Sequence, residues 1–475
     1  MSSSRFRLPY ILGILVFGLL VVFGYTNLSP AQTATGTIAY RGSIFHLLDD
    51  PAKSKDAYQY IEDGLLVVEN GKVKQVGEAS DLISKFNASQ IVDHSGKLIM
   101  PGFVDTHIHY PQTEMVASYG EQLLEWLNTY TFPTEKQFAD KNYSKGVAKV
   151  FLNQLLKNGT TTTLVFGTVH KGSVDALFEE AKARNLRLIA GKVMMDRNAP
   201  DYLRDTPESS YRDSKELIDR WHKNGRLLYA VTPRFAPTST PEQLNMAQKL
   251  LKEYPDVYMH THLSENKGEV AWVKSLFPKS DSYLGVYNDF GLSRNRSIYA
   301  HSIHLSDQEF QSLAKTGSGI AFCPTSNLFL GSGLFDLKRA DQYGVRVGMG
   351  TDIGAGTSFS MLQTMNEAYK VIQMHKAFSD DPKAEKSLTP FRAYYLSTLG
   401  GTRALYLDDK IGNFLPGKEA DFVVLNPKST DLLAFRMSKA KTLDEKLFVL
   451  QMLGDDRAVE QTYIMGKRWH ESKAT

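Results

Sequence analysis

Pro101-Gly102-Phe103-Val104-Asp105-Thr106-His107-Ile108-His109 is an apolar run that ends in two histidines one residue apart. Residues i and i+2 of a strand face the same side, so His107 and His109 converge on one point. Three more runs end the same way. Val257-Tyr258 leads to His260-Thr261-His262, with Glu265 three residues on. Ser297-Ile298-Tyr299-Ala300 leads to His301, and Val345-Arg346-Val347-Gly348 leads to Asp352. A divalent transition metal takes about four nitrogen or oxygen ligands, and here they come from segments up to 245 residues apart, so only a folded enclosure gathers them. Ligands at the carboxyl ends of successive strands are what a (β/α)8 TIM-type barrel presents at its catalytic face. The chain reads as an α/β metal hydrolase.

Working outward, Pro101 to about Gly400 alternates strand and helix signals as a parallel barrel requires. Val147, Val150, Phe151 and Leu155 recur at helical spacing up to Gly159, and the β-branched run Thr160 to Val165 follows. Ser173 is placed to cap the next helix, Leu186 to Met195 and Leu227 to Val231 read as strands, and Thr240-Pro241 opens a helix with proline at its first position. Ser306 with Glu309 makes a capping box, and Ser318 to Cys323 is the following strand. With the strand before Asp352 the count reaches eight.

The ends differ from the middle. Leu65 to Val68, Asn70-Gly71 and Val73 to Gly77 signal a hairpin, since Asn-Gly supplies the positive φ angles a tight turn needs. Ala420 to Leu425 and Gln461 to Lys467 are strand-like at the far end. Two β-rich ends around a long middle are most simply one discontinuous small β-sandwich domain. The expected division is 1–35 as a signal peptide or N-terminal membrane anchor plus linker, 36–98 with 403–475 as the composite β domain, and 99–402 as the barrel.

The N-terminal expectation rests on Arg5 and Arg7 followed by Leu8 to Tyr25 without a charge, the next basic residue being Arg41. That length lies between a signal-peptide core of about 7–15 residues and a span of about 20. Both readings send the barrel across the membrane, which predicts an anchored or exported, extracytoplasmic protein whose N-terminus engages membrane or secretion machinery. A misassigned start would leave it cytosolic. Net charge is +3, from 55 basic against 52 acidic residues, so there is no basic footprint for nucleic acid. The single cysteine, Cys323, excludes a disulfide framework and any CxxC metal site, and its apolar neighbours predict a buried thiol.

Twelve histidines are present. His46, His94, His222, His375 and His470 sit among polar or turn residues and are expected to be solvated; His170 and His304 lack a partner pattern. His260 shares the i, i+2 geometry with His262, but only His262 carries the Ser264-Glu265 extension, which favours it as the ligand.

Pro101 to His109 resembles the opening motif of the amidohydrolase superfamily, and Gly348-Met349-Gly350-Thr351-Asp352 its closing one. The continuation is more specific. Tyr110-Pro111-Gln112, Ser118 to Leu127, Tyr130 to Glu135, Pro233-Arg234-Phe235-Ala236-Pro237 and Thr261 to Asn266 closely resemble guanine deaminases. The resemblance covers residue 36 to the C-terminus.

It implies one Zn2+ per chain on His107, His109, His262 and Asp352, with guanine and water as substrates and xanthine and ammonia as products. Asp352 would take a proton from the attacking water, Glu265 would shuttle one to the ring, and His301 would stabilise the water or a developing oxyanion. Gln112, Arg234 and Phe235, together with His109 and His262, would contact the substrate; Arg234 donates only, which suits a carbonyl such as guanine O6. Asp196-Arg197-Asn198 is a second candidate for shaping the pocket. Alternative readings are an aminohydrolase acting on 8-oxoguanine, a pterin or a triazine, and a membrane-tethered, non-enzymatic purine-binding protein. A homodimer is expected, with the β domain as one contact surface.

Overall fold

A computed structural model describes residues 36–120, 122–380 and 387–472. Eight parallel strands follow one another round a barrel: Phe103–His109, Thr160–Phe166, Arg187–Gly191, Leu227–Pro233, Tyr258–Leu263, Ser297–His301, Gly319–Phe322 and Arg346–Met349. Thr106 Oγ1 donates to the carbonyl of Met349 at 2.9 Å, and the amides of His109 and Asp352 donate to Ile353 and His107, so the last strand meets the first. The strand expected over Leu186 to Met195 is broken at Lys192 and resumes as Val193–Met194 against Leu227–Pro233. At the break, Gly191 lies so close to its neighbour that a Cβ would stand 1.8 Å from the carbonyl oxygen of Ala230.

Val104, Leu164, Ile189, Ala230, Tyr258, Ile298 and Ala321 come from successive strands and fill the barrel interior. Burying each larger side chain there is worth about 1.5–3 kcal/mol. Leu405, Leu407 and Ile411 close the bottom, where the Tyr258 hydroxyl donates to the carbonyl of Leu405 at 2.6 Å. The barrel is therefore a packed core with its one functional mouth at the carboxyl ends of the strands.

The first and last strands of the described residues enter one seven-stranded mixed sheet. Its order is Lys467–Glu471, Val459–Ile464, Phe422–Leu425, Ile91–Pro101, Thr37–Leu47, Tyr58–Glu69 and Lys72–Glu78. Ile91–Pro101 runs through Gly102 straight into the first barrel strand, which ties the sheet to the barrel. A buried ion cluster adds a second tie: Arg226 Nη2 donates to Glu419 at 2.8 Å and pairs with Asp421, while Arg187 Nε donates to Glu419 at 2.9 Å. Asn70 (φ 50°) and Gly71 (φ 77°) make the expected hairpin turn. Gln461 to Lys467, read as one strand, is instead a second hairpin turning at Met465 (φ 50°) and Gly466 (φ 70°).

Other local expectations shift. Lys171–Ala183 starts before Ser173, whose hydroxyl bonds Thr168 and the carbonyl of His170 rather than capping. His46 and His94, expected in solvent, are buried in the sheet. His46 bonds Gln59, and His94 lies against the rings of Tyr40 and Tyr463. The Leu8 to Tyr25 segment lies outside the described residues, among which no helix is long and apolar enough to cross a membrane.

Candidate metal centre

His107 and His109 leave the first strand on one face, His262 leaves the fifth, and Asp352 stands three residues beyond the eighth. Their ligand atoms converge. Nε2 of His109 lies 3.2 Å from Nε2 of both His107 and His262, and Asp352 Oδ1 lies 3.1 Å from His107 Nε2 and 3.3 Å from His109 Nε2. A tetrahedron with metal–ligand bonds of about 2.0–2.1 Å has edges of about 3.3 Å. Four atoms at that spacing, on buried His107, His109 and Asp352 and half-buried His262, are where an ion fits.

Their charge states suit one as well. Burial first, and then the neighbouring histidines, hold the His262 imidazolium well below its ordinary pKa. Burial also pushes His107 down and His109 down to about 3. Burial opposes the charge on Asp352, yet the His107 and His109 contacts outweigh it and keep its carboxyl well below the usual carboxylate range. Three neutral imidazoles and a carboxylate are the deprotonated ligand set a metal requires. The other tips are held from behind: His262 Nδ1 by the carbonyl of Arg234 at 2.7 Å, and His107 Nδ1 by His260 Nε2 at 2.8 Å. His260 thus supports the His107 ring from behind, and Cys323, also nearby, is a buried thiol whose burial raises its pKa far above the usual value.

His301 Nδ1 lies 2.9 Å from Asn327 Oδ1, which leaves its Nε2 toward Glu265 Oε2 at 3.5 Å and Asp352 Oδ2 at 3.7 Å. Glu265 Oε1 accepts from the Ser332 hydroxyl at 3.1 Å. Burial, followed by the Asp352 carboxylate, pushes the Glu265 carboxyl up to about 8, so it holds a proton at neutral pH. Ser264, His301, Ser302 and Asp352 all have φ between 48° and 66°. Four non-glycine residues in the left-handed region at one site are strain that the surrounding fold holds in place.

Above these groups is a small pocket. Gln112, Arg234 and Phe235 line it with His109, His262, Glu265, His301 and Asp352, so the sequence-predicted residues meet in one place. Asp196 does not join them; it accepts from the Thr240 amide at 2.8 Å and caps that turn. Sequence reasoning passed over Glu135, fully buried and bonded to both Arg234 and Gln112, and the wall formed by Trp126, Leu127 and Leu330. Two signals were available: Glu135 closes the Tyr130 to Glu135 stretch that resembles guanine deaminases, and it is the carboxylate of an otherwise uncharged stretch from Trp126.

The model of the amidohydrolase family matches residues 98–469. Guanine deaminase of Escherichia coli (strain K12) is 58% identical over 437 residues, covering 91% of this chain and 98% of that protein. Its solved structure superposes with a TM-score of 0.88, covering 92% of this chain and all of that one. The structure of guanine deaminase from C. acetobutylicum with guanine bound in its active site is 32% identical with a TM-score of 0.83, over 91% of this chain and all of that one. These matches overturn the expected membrane-anchored or exported setting. The E. coli enzyme is matched almost end to end while part of this chain is left over, so the family's architecture is complete without an anchor or export segment.

Proposed function

Because the chain belongs to the amidohydrolase family, and within it to the guanine deaminases, we propose that it hydrolyses guanine to xanthine and ammonia at this centre. The observation that carries the reading is the convergence of His107, His109, His262 and Asp352 directly beneath a pocket edged by Glu265, Gln112 and Arg234. The donor set, three imidazole nitrogens and one carboxylate oxygen, favours a single Zn2+ per chain. When bound, the ion supplies Lewis-acid stabilisation and an acidified water.

The residues then divide the proton traffic. Asp352, ionised and facing that point, takes the proton of the attacking water. Glu265, carrying its own proton, gives it to the ring nitrogen beside C2 and makes that carbon electrophilic. Water oxygen bonds to C2, the bond from C2 to the exocyclic nitrogen breaks, and that nitrogen takes the proton held by Asp352 and leaves as ammonia, while the proton of the new C2 hydroxyl restores Glu265. His301, oriented by Asn327, holds the incoming oxygen. Arg234 donates to O6, Gln112 bonds along the ring edge, and Phe235 packs beside the ring.

The test is ammonia and xanthine production from guanine by the purified protein, alongside 8-oxoguanine, a pterin and a triazine. Guanine should give the highest kcat/KM; a higher value for another heterocycle would reassign the substrate. Assembly as a homodimer belongs to the same proposal, supported by the exposed Leu432 and Phe435 on the helix Asp431–Met437 and checked by light scattering.

A further inference from the structure

Glu135 ends the short helix Phe132–Glu135, which follows a π-helical turn over Leu127–Thr131. Such turns recur at functional sites. Here the stretch brings Trp126 and Leu127 into the pocket wall and sets the Phe132 ring 5.7 Å from the Arg234 guanidinium. Both Glu135 oxygens accept from Arg234 Nη1, at 3.0 and 3.1 Å, and Oε1 also accepts from Gln112 Nε2 at 3.3 Å. Gln112 Oε1 in turn accepts from the Gly354 amide at 3.0 Å. A fully buried carboxylate persists only with partners of this kind. Its partners are the two polar side chains that would read the purine edge.

We propose that Glu135 is a positioning residue that fixes the orientation of Arg234 and Gln112 and cancels the arginine's charge, so that the pocket takes neutral guanine and releases the more acidic xanthine. The inference rests on the guanine reading above. Orientation follows from the bonds: the Gln112 amide is held at its nitrogen by Glu135 and at its oxygen by Gly354, so it cannot turn over. Charge follows from chemistry. Xanthine carries a second ring carbonyl where guanine has its amino group and loses a ring proton more readily. A guanidinium without Glu135 would hold that anion by charge-assisted hydrogen bonds and slow its departure. The other ionisable groups facing the pocket are Glu265, Glu269, Asp352, His109, His262 and His301. They are common to all the variants below, so differences among variants report the Arg234–Glu135 pair.

The experiment compares the metal-loaded wild type with Glu135→Gln and Glu135→Asp. It measures kcat and KM for guanine and inhibition by xanthine, below and above the first ionisation of xanthine. Glu135→Gln should raise KM about tenfold with little change in kcat. Relative to KM, it should also tighten xanthine inhibition by roughly tenfold, the worth of one charge-assisted hydrogen bond, at the higher pH only. Adding Arg234→Met removes the surplus charge and should abolish the tightening. Should Glu135→Gln not fold, Glu135→Asp keeps the charge balanced and releases Gln112, so KM should rise while the pH dependence of xanthine inhibition stays that of the wild type. Equal tightening at both pH values, its persistence without Arg234, or a changed pH dependence in Glu135→Asp would overturn the proposal. A wild type that releases no ammonia from guanine sinks the functional reading instead. An active wild type with an indistinguishable Glu135→Gln sinks only the role of Glu135.

Discussion

Nδ1 of His107 lies 2.8 Å from Nε2 of His260, with both rings buried. With Nε2 of His107 given to a metal, its proton would sit on Nδ1 and be donated to His260, which would fix the tautomer and the plane of the ring. His260 is itself pressed against Phe166, with ring centroids 4.4 Å apart. His260→Ala keeps all four ligand side chains and should still weaken metal binding by about 10–100-fold. Competition with a chelator measures this directly. An unchanged affinity would make His260 a packing residue only.

Glu265→Gln keeps the size of the side chain and a hydrogen-bonding partner for Ser332, but it has no proton to cycle. Activity on guanine should fall by about 10²–10⁴-fold, the usual worth of a general acid-base group. Metal content should stay at the wild-type level, because Glu265 reaches the centre only through His301 and Asp352. Loss of metal together with activity would place Glu265 among the ligands.

The barrel and the residues that converge at its mouth were legible because strand ends are local: an apolar run followed by His107 and His109, or by His262, states both the strand and the direction of its side chains. The terminal hairpin was legible for the same reason, since Asn70-Gly71 encodes its own turn. What escaped depends on partners distant in the chain. Glu135 is an ordinary helix glutamate until the fold sets Arg234 and Gln112 against it. His46 and His94 look solvated from their neighbours, and only sheet formation buries them. The break at Lys192 reflects the close approach of Gly191 to Ala230, a steric fact with no local pattern.

His46 gives the fold an acid-sensitive point. Its Nε2 lies 2.8 Å from Gln59 Oε1 and its Nδ1 accepts from the Phe414 amide at 3.3 Å, so the neutral ring has a use for both nitrogens. Burial, only partly offset by Gln59, pushes its pKa down to about 4, against about 6.5 in the unfolded chain. The unfolded state therefore binds more protons between those values, and the stability is full above about pH 6.5 and is lost as pH falls toward about 4. At about 1.4 kcal/mol per pH unit, the loss is about 3 kcal/mol. Denaturant unfolding of the wild type and His46→Asn across that window should show the variant losing less by roughly this amount. Parallel curves would mean that His46 protonates without cost to the fold.

In the proposed reading Arg234 meets a substrate carbonyl from the pocket wall, with Nη1 already committed to Glu135. Charge-assisted hydrogen bonds from the rest of the group to guanine O6 are worth about 1.5–3 kcal/mol each. Arg234→Ala should accordingly lower kcat/KM for guanine by about 10- to 150-fold, at about 1.4 kcal/mol per factor of ten. The same change leaves Glu135 without its cation, and that cost falls on every substrate alike. 2-Aminopurine, which has hydrogen in place of O6, separates the two effects: if it is turned over, its loss should be much smaller than that of guanine. Equal losses on both would show that Arg234 holds the pocket together through Glu135 and does not read O6.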